Sequence, residues 1–181
     1  LNAYAYETQR QNDDVYSILT SIGGKVEHGK SNQQEESAFL SELKQKNQIN
    51  IINQNNAFYH IQTKSWQQKR LGIDTRLYLN PKKENLIPLV NEIIKKNGNS
   101  PLYLKFESEN QMQQMALQDR GRSEKIVIYA NGGKDGNLGK IGQILTQIEM
   151  ERPELFKDGG YLNPFMKSID GVISYHSDRK S

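Results

Sequence analysis

A chain of 181 residues holds one domain with a sizeable core. Its hydrophobic share of 35%, its charged share of 25% and its many Asn, Gln and Lys residues describe a soluble protein whose core is modest. The absence of cysteine excludes a disulfide framework, a thiol nucleophile and a thiolate metal site, and no apolar run approaches the ~18 residues that span a bilayer. A formal net charge of +3, from 24 bases against 21 acids, is too small an excess to specify a nucleic acid, so neither nucleic acid nor membrane is expected as a partner.

The opening LNAYAYETQRQ has no basic-then-apolar order of a signal peptide and no initiator Met, as expected of a trimmed chain or a piece of a longer one. Val15, Ile18, Leu19 and Ile22 space out an amphipathic helix that stops at Gly23–Gly24. SAFLSELKQK is a second short helix with Phe39, Leu40 and Leu43 inward. Strand character follows around Ile49–Ile52 and Ala57–Ile61, with NQNN as the turn, and Gln67–Asp74 is a polar connection.

From Asp74 onward the signal sharpens. TRLYLNP is a strand closed by Pro81, and KKENLIPLVNEIIKKNGN is a helix with Leu86, Leu89, Val90, Ile93 and Ile94 on one face. PLYLKFES is a second strand, QMQQMALQDRGR a short helix or loop with two arginines, and EKIVIYA a third strand. NGGKDGNLG is a loop, KIGQILTQIEMERP a helix, and NPFMKSIDGVISYHSD a final loop and strand. Strands separated by helices indicate an α+β or α/β domain; the fold expected is α+β, a mostly antiparallel central sheet flanked by helices, with a helical N-terminal region. One domain is expected over 1–181, with 1–70 as a helical or irregular N-terminal region and 75–178 as its core.

Several motifs yield only ordinary structure. NGGKDGNLGK fails as a phosphate loop, because Lys134 stands five before Gly139 and Ile141 follows Lys140. His28, His60 and His176 lie far apart in sequence, with no His-x-x-x-His pair and no cluster of acids nearby, so no metal site is expected. His60 reads as a strand-surface residue, and Trp66 as a packing anchor.

The three central strands are more informative together. Leu77 and Leu79, Leu102, Leu104 and Phe106, and Ile126 and Ile128 form apolar faces. The opposite faces carry Arg76, Tyr78, Asn80, Tyr103, Lys105, Lys125 and Tyr129, a set read as free of carboxylates, with Arg120 and Arg122 just before the third strand. Cations and phenolic hydroxyls without acids suit a phosphate or another anion; a solvated sheet face is the competing reading.

The order TRLYLNP, helix, PLYLKFES, RGRSEKIVIYA resembles the bacterial type III effector superfamily that contains the phosphothreonine lyases. It is most similar to the Hop A-type effectors and their lanthipeptide-biosynthesis lyase homologues. The likeness covers roughly Thr75 to Asp178, and NPFMKSIDGVISY fits the ending of the Hop-type branch. The resemblance implies metal-free β-elimination of phosphate from phosphoserine or phosphothreonine, with no cofactor, leaving a dehydroamino acid. Lys105 takes the place of the lyases' strand lysine, the base for the Cα proton. An amine acts as a base only when neutral, a form that a nearby cation such as Arg76 favours. Arg76, Arg120, Arg122, Tyr103 and Tyr129 are implied phosphate or substrate ligands, with Arg122 the stronger of the two loop arginines and Lys167 of PFMK a further candidate.

The lyases carry a Lys-x-His pair on the first of these strands, with the histidine as general acid. Here the corresponding residues are Arg76 and Tyr78, and Tyr78 is the candidate acid, with His60 as another source. The substrate is expected to be a phosphorylated peptide or protein. A lanthipeptide-type precursor implies a cytoplasmic enzyme with a kinase as a possible partner; a host phosphoprotein implies secretion into the host. The alternative is a catalytically silent module that binds a phosphopeptide or a partner protein.

Overall fold

A computed structural model describes residues 31–121 and 124–156 and the backbone of 167–169 and 173–177. The helix expected at 15–22 and the arginine at 122 lie outside the described residues.

The first described helix, α1 (Gln33–Lys44), buries Phe39 and Leu43, one helical turn apart, and Leu40 packs at the core's edge. Strands β1 (Ile49–Gln54) and β2 (Phe58–Thr63) form a hairpin. Asn55 and Asn56 make its turn at φ 53° and 61°, closed by the Ala57 N–H donating to the Gln54 carbonyl at 2.9 Å. Asparagine tolerates this left-handed pair, which matches the strands' twist. Helix α2 (Lys64–Lys69) starts where the Thr63 side chain accepts from the Trp66 N–H. The segment expected as a polar connection from residue 67 is therefore partly helical. The two strands expected around Ile49–Ile52 and Ala57–Ile61 are present and join the sheet.

Strand β3 (Thr75–Leu79) leads through a short 3-10 turn into α3 (Leu86–Asn97), which buries Leu86, Leu89, Val90, Ile93 and Ile94 as the spacing predicts. Gly98, at φ 61°, closes that helix by donating to the Ile94 carbonyl. Its lack of a Cβ permits the positive φ. Strand β4 (Tyr103–Glu107) ends at Ser108, whose hydroxyl accepts from the Gln111 N–H at 3.0 Å and so caps α4 (Glu109–Leu117). Strand β5 (Ile126–Ala130) and helix α5 (Leu138–Glu151) follow. The glycine-rich loop between them is tied by its own asparagines. The Asn131 N–H donates to Asn137 Oδ1, and Asn137 Nδ2 donates to the Pro101 carbonyl. Strands β6 (Lys167–Ile169) and β7 (Ile173–Ser177) complete the described elements.

These strands form one sheet in the order β1-β2-β4-β5-β3-β7-β6, every pair antiparallel. The fold is α+β, as expected. Leu77, Leu79, Leu104, Phe106, Ile126 and Ile128 face the helices and form one core with the apolar stripes of α1, α3 and α5. No helix among the described residues is long and apolar enough to cross a membrane.

Candidate active site

Strand β5 lies between β4 and β3, so the three polar faces adjoin. Residues directly opposite in an antiparallel pair share a face, and the register therefore draws rows across it. One row runs Gln62, Tyr103, Tyr129, Arg76, His176 from β2 to β7. The next runs His60, Lys105, Val127, Tyr78, Ser174. Lys105 and Tyr78 are two strand spacings apart, roughly 10 Å between their Cα positions.

Burial divides this face. Arg76, Tyr103, Lys105 and Tyr129 are half-buried, whereas Val127 is fully buried and Tyr78 is only 2% exposed. Lys125 is buried too, and its ammonium donates to the Pro81 carbonyl at 2.8 Å. The accessible part thus lies over β2, β4 and the Arg76 end of β3.

The face is not free of acids. Strand β4 continues one alternation past Lys105, and Glu107 falls on the same side, opposite Phe58 and buried. The named cations and phenols include no carboxylate, but the face they share also carries Glu107. This acid is buried, whereas Lys105 is half-buried.

Lys105 Nζ stands 4.3 Å from the centroid of the Phe58 ring, a cation–π approach across the β2–β4 pair. Tyr103 packs between Trp66 and Tyr129, with ring centroids at 5.6 Å and 4.3 Å. Its hydroxyl lies 2.8 Å from His60 Nδ1, and His60 Nε2 lies 2.6 Å from Gln54 Oε1. Burial, and then the charge of Lys105, hold His60 below the ordinary histidine value; burial pushes the Tyr103 phenol up. Both groups are therefore neutral at neutral pH.

The register brings Lys105, Tyr103, Tyr129, Arg76 and Tyr78 together on this face. Arg120 is exposed in the loop that leads to β5, where its N–H donates to the Met115 carbonyl. Lys167 stands opposite Tyr175, and Tyr175 opposite Leu77, a row out of phase with the one through Tyr78. Sequence reasoning did not bring His60 to Lys105, although the alternation in FYHIQ already put Phe58, His60 and Gln62 on one side. It also missed Gln54 and Gln62.

No family model matches the chain, and no curated protein resembles it in sequence. Solved structures do resemble it in fold. The phosphothreonine lyase SpvC, an effector protein from Salmonella, superposes with a TM-score of 0.55 at 12% identity, over 94% of this chain and 90% of that one. The type III effector and phosphothreonine lyase OspF from Shigella flexneri gives 0.54 at 12% identity, over 93% and 92%. A third structure, described by the catalytic mechanism of phosphothreonine lyase, gives 0.51 at 11% identity, over 95% and 90%. This chain shares their fold.

Proposed function

We propose that the protein is a phosphoamino-acid lyase that eliminates phosphate from a phosphoserine or phosphothreonine in a peptide or protein. The observation that carries this reading is Lys105 at the half-open centre of a cationic, phenol-rich sheet face, in a fold shared with phosphothreonine lyases. In its neutral form Lys105 takes the Cα proton. The C–H electron pair becomes the Cα=Cβ bond, and the Cβ–O pair departs with phosphate. Arg76, Arg120 and Arg122 supply the positive charge that the phosphate needs, and Tyr103 and Tyr129 flank it. Lys167 is a further candidate ligand of the phosphate. No metal or cofactor takes part in this scheme.

The substrate is a host phosphoprotein or a lanthipeptide-type precursor. The fold's likeness to type III effectors supports the first, with secretion into a host. The second would make the protein a cytoplasmic partner of a kinase. Incubation with a phosphothreonine peptide, followed by mass spectrometry, should reveal loss of the elements of phosphoric acid. No loss under any condition that permits binding sinks the lyase reading. Binding without elimination is the alternative of a silent phosphopeptide module, and the burial of Tyr78, the candidate acid, favours that alternative.

A further inference from the structure

A single file of hydrogen bonds crosses the β1, β2 and β4 side of the site, and its amides all point one way. Asn50 Nδ2 donates to Gln67 Oε1 at 2.8 Å, and Gln67 Nε2 donates to Gln62 Oε1 at 3.0 Å. With its carbonyl oxygen so engaged, the Gln62 side chain meets the Tyr103 hydroxyl as a donor. Tyr103 Oη then faces His60 Nδ1, and His60 Nε2 faces Gln54 Oε1. A carbonyl oxygen only accepts, so the neutral ring carries its hydrogen on Nε2, and Nδ1 accepts the Tyr103 hydrogen.

A phenol has one hydrogen to give. While His60 is neutral, that hydrogen is turned away from the substrate side. Once His60 is protonated, Nδ1–H becomes a donor to Tyr103 Oη, and the phenolic hydrogen is released toward the open face shared with Lys105, Tyr129 and Arg76. We propose that Tyr103 is the general acid for the leaving phosphate, and that His60, acting through it, positions the transferable hydrogen. This rests on the lyase reading and assigns the acid to β4 and β2 instead of Tyr78.

The proton count closes. Lys105 takes the Cα proton, the phosphate oxygen takes the Tyr103 proton, and Tyr103 recovers one from the His60 imidazolium. Solvent then deprotonates Lys105 and reprotonates His60. An arriving phosphate dianion favours the imidazolium, which burial and Lys105 otherwise disfavour. Among the described residues, the charged groups near His60 are Lys105 opposite it and Glu107 in the adjoining row, both on β4. Strand β1 presents the neutral Ile52 and Gln54; α2 presents Trp66 and Gln67, with Lys64 and Lys69 exposed to solvent.

The test measures elimination from a phosphothreonine peptide by wild type, Tyr103→Phe, His60→Gln and the double variant. Each single variant should lower kcat by at least about 100-fold, the usual contribution of a positioned acid. The double variant should be no slower than the worse single one, because the two act in series. His60→Gln should also remove one limb of the kcat–pH profile. Tyr103→Phe turning over at the wild-type rate, or losses that multiply, overturns the acid role alone. An inactive wild type removes the lyase reading and the acid role with it.

A second measurement needs no variant. Imidazole 15N shifts of the wild-type protein should show His60 as the Nε2–H tautomer, with its titration moving to higher pH on addition of inorganic phosphate. The Nδ1–H tautomer, or a titration that phosphate leaves in place, also overturns the proposal.

Discussion

Glu107 follows Lys105 by two residues on the same face of β4, yet it is buried where Lys105 is half-open. The strand thus carries an acid into the protein and an amine to the site within one alternation of its pleat. The open part of the face presents the amine and the phenols, while the Glu107 side chain is buried.

Lys105→Ala should abolish elimination while leaving the fold intact. The base contributes at least about 100-fold to such a step. Circular dichroism should be unchanged, because the half-buried side chain packs on Phe58 at the margin of the core. Undiminished elimination in this variant, read by mass spectrometry of the peptide, would remove Lys105 from the mechanism.

Ser108→Ala should cost about 1–2 kcal/mol in chemical denaturation, the upper range for a lost helix cap. The buried hydroxyl both accepts from the Gln111 N–H and donates to the Asn56 carbonyl, joining α4 to the hairpin turn. A loss below a few tenths would show that the cap does not hold α4.

Glu109→Ala should destabilise more strongly, by about 3–5 kcal/mol, the range for breaking a buried pair. Its carboxylate lies 2.7 Å from Lys83 Nζ, with side chains 1% and 10% exposed respectively. Glu109→Gln should recover part of this, since Gln113 Nε2 still has an oxygen to donate to. Equal losses in the two variants would mean that charge is not the source.

Two groups set opposite pH dependences of stability. His60 is held below its unfolded value, so its contribution is complete above about pH 6.5 and declines as pH falls through the lowered value. Glu36 is pushed above its unfolded value by burial, against the opposing bonds from the Glu109 N–H and Tyr59. Its contribution is complete below about pH 4.5 and declines as pH rises through the raised value. Denaturation midpoints across this range should flatten in the upper window for His60→Gln and in the lower for Glu36→Gln. A midpoint profile that neither substitution alters would contradict both assignments.

The alternation of TRLYL, YLKFE and IVIYA was legible without a structure, because strand phase is local and each run carries its own apolar face. Which strand lies beside which was not, because pairing is decided by contacts far apart in sequence. The neighbours of β4 are β5 and β2, and only that arrangement puts His60 opposite Lys105 and Tyr129 opposite Tyr103. The burial of Tyr78 was equally hidden, since alternation gives the side of a sheet and not what covers it. Glu107 could have been read from the strand, had its phase been carried two residues further.

The insertion of β5 between β4 and β3 also has a meaning for synthesis. Lys105 and Arg76 are both made before Ile126 leaves the ribosome, yet their strands have no hydrogen bonds to each other. Until the stretch through Ala130 emerges, the two halves of the site have no shared sheet to belong to. A nascent chain ending at residue 124 would therefore hold Arg76, Tyr103 and Lys105 without Tyr129 and without the strand that spaces them, and binding competence should appear late and abruptly as translation proceeds.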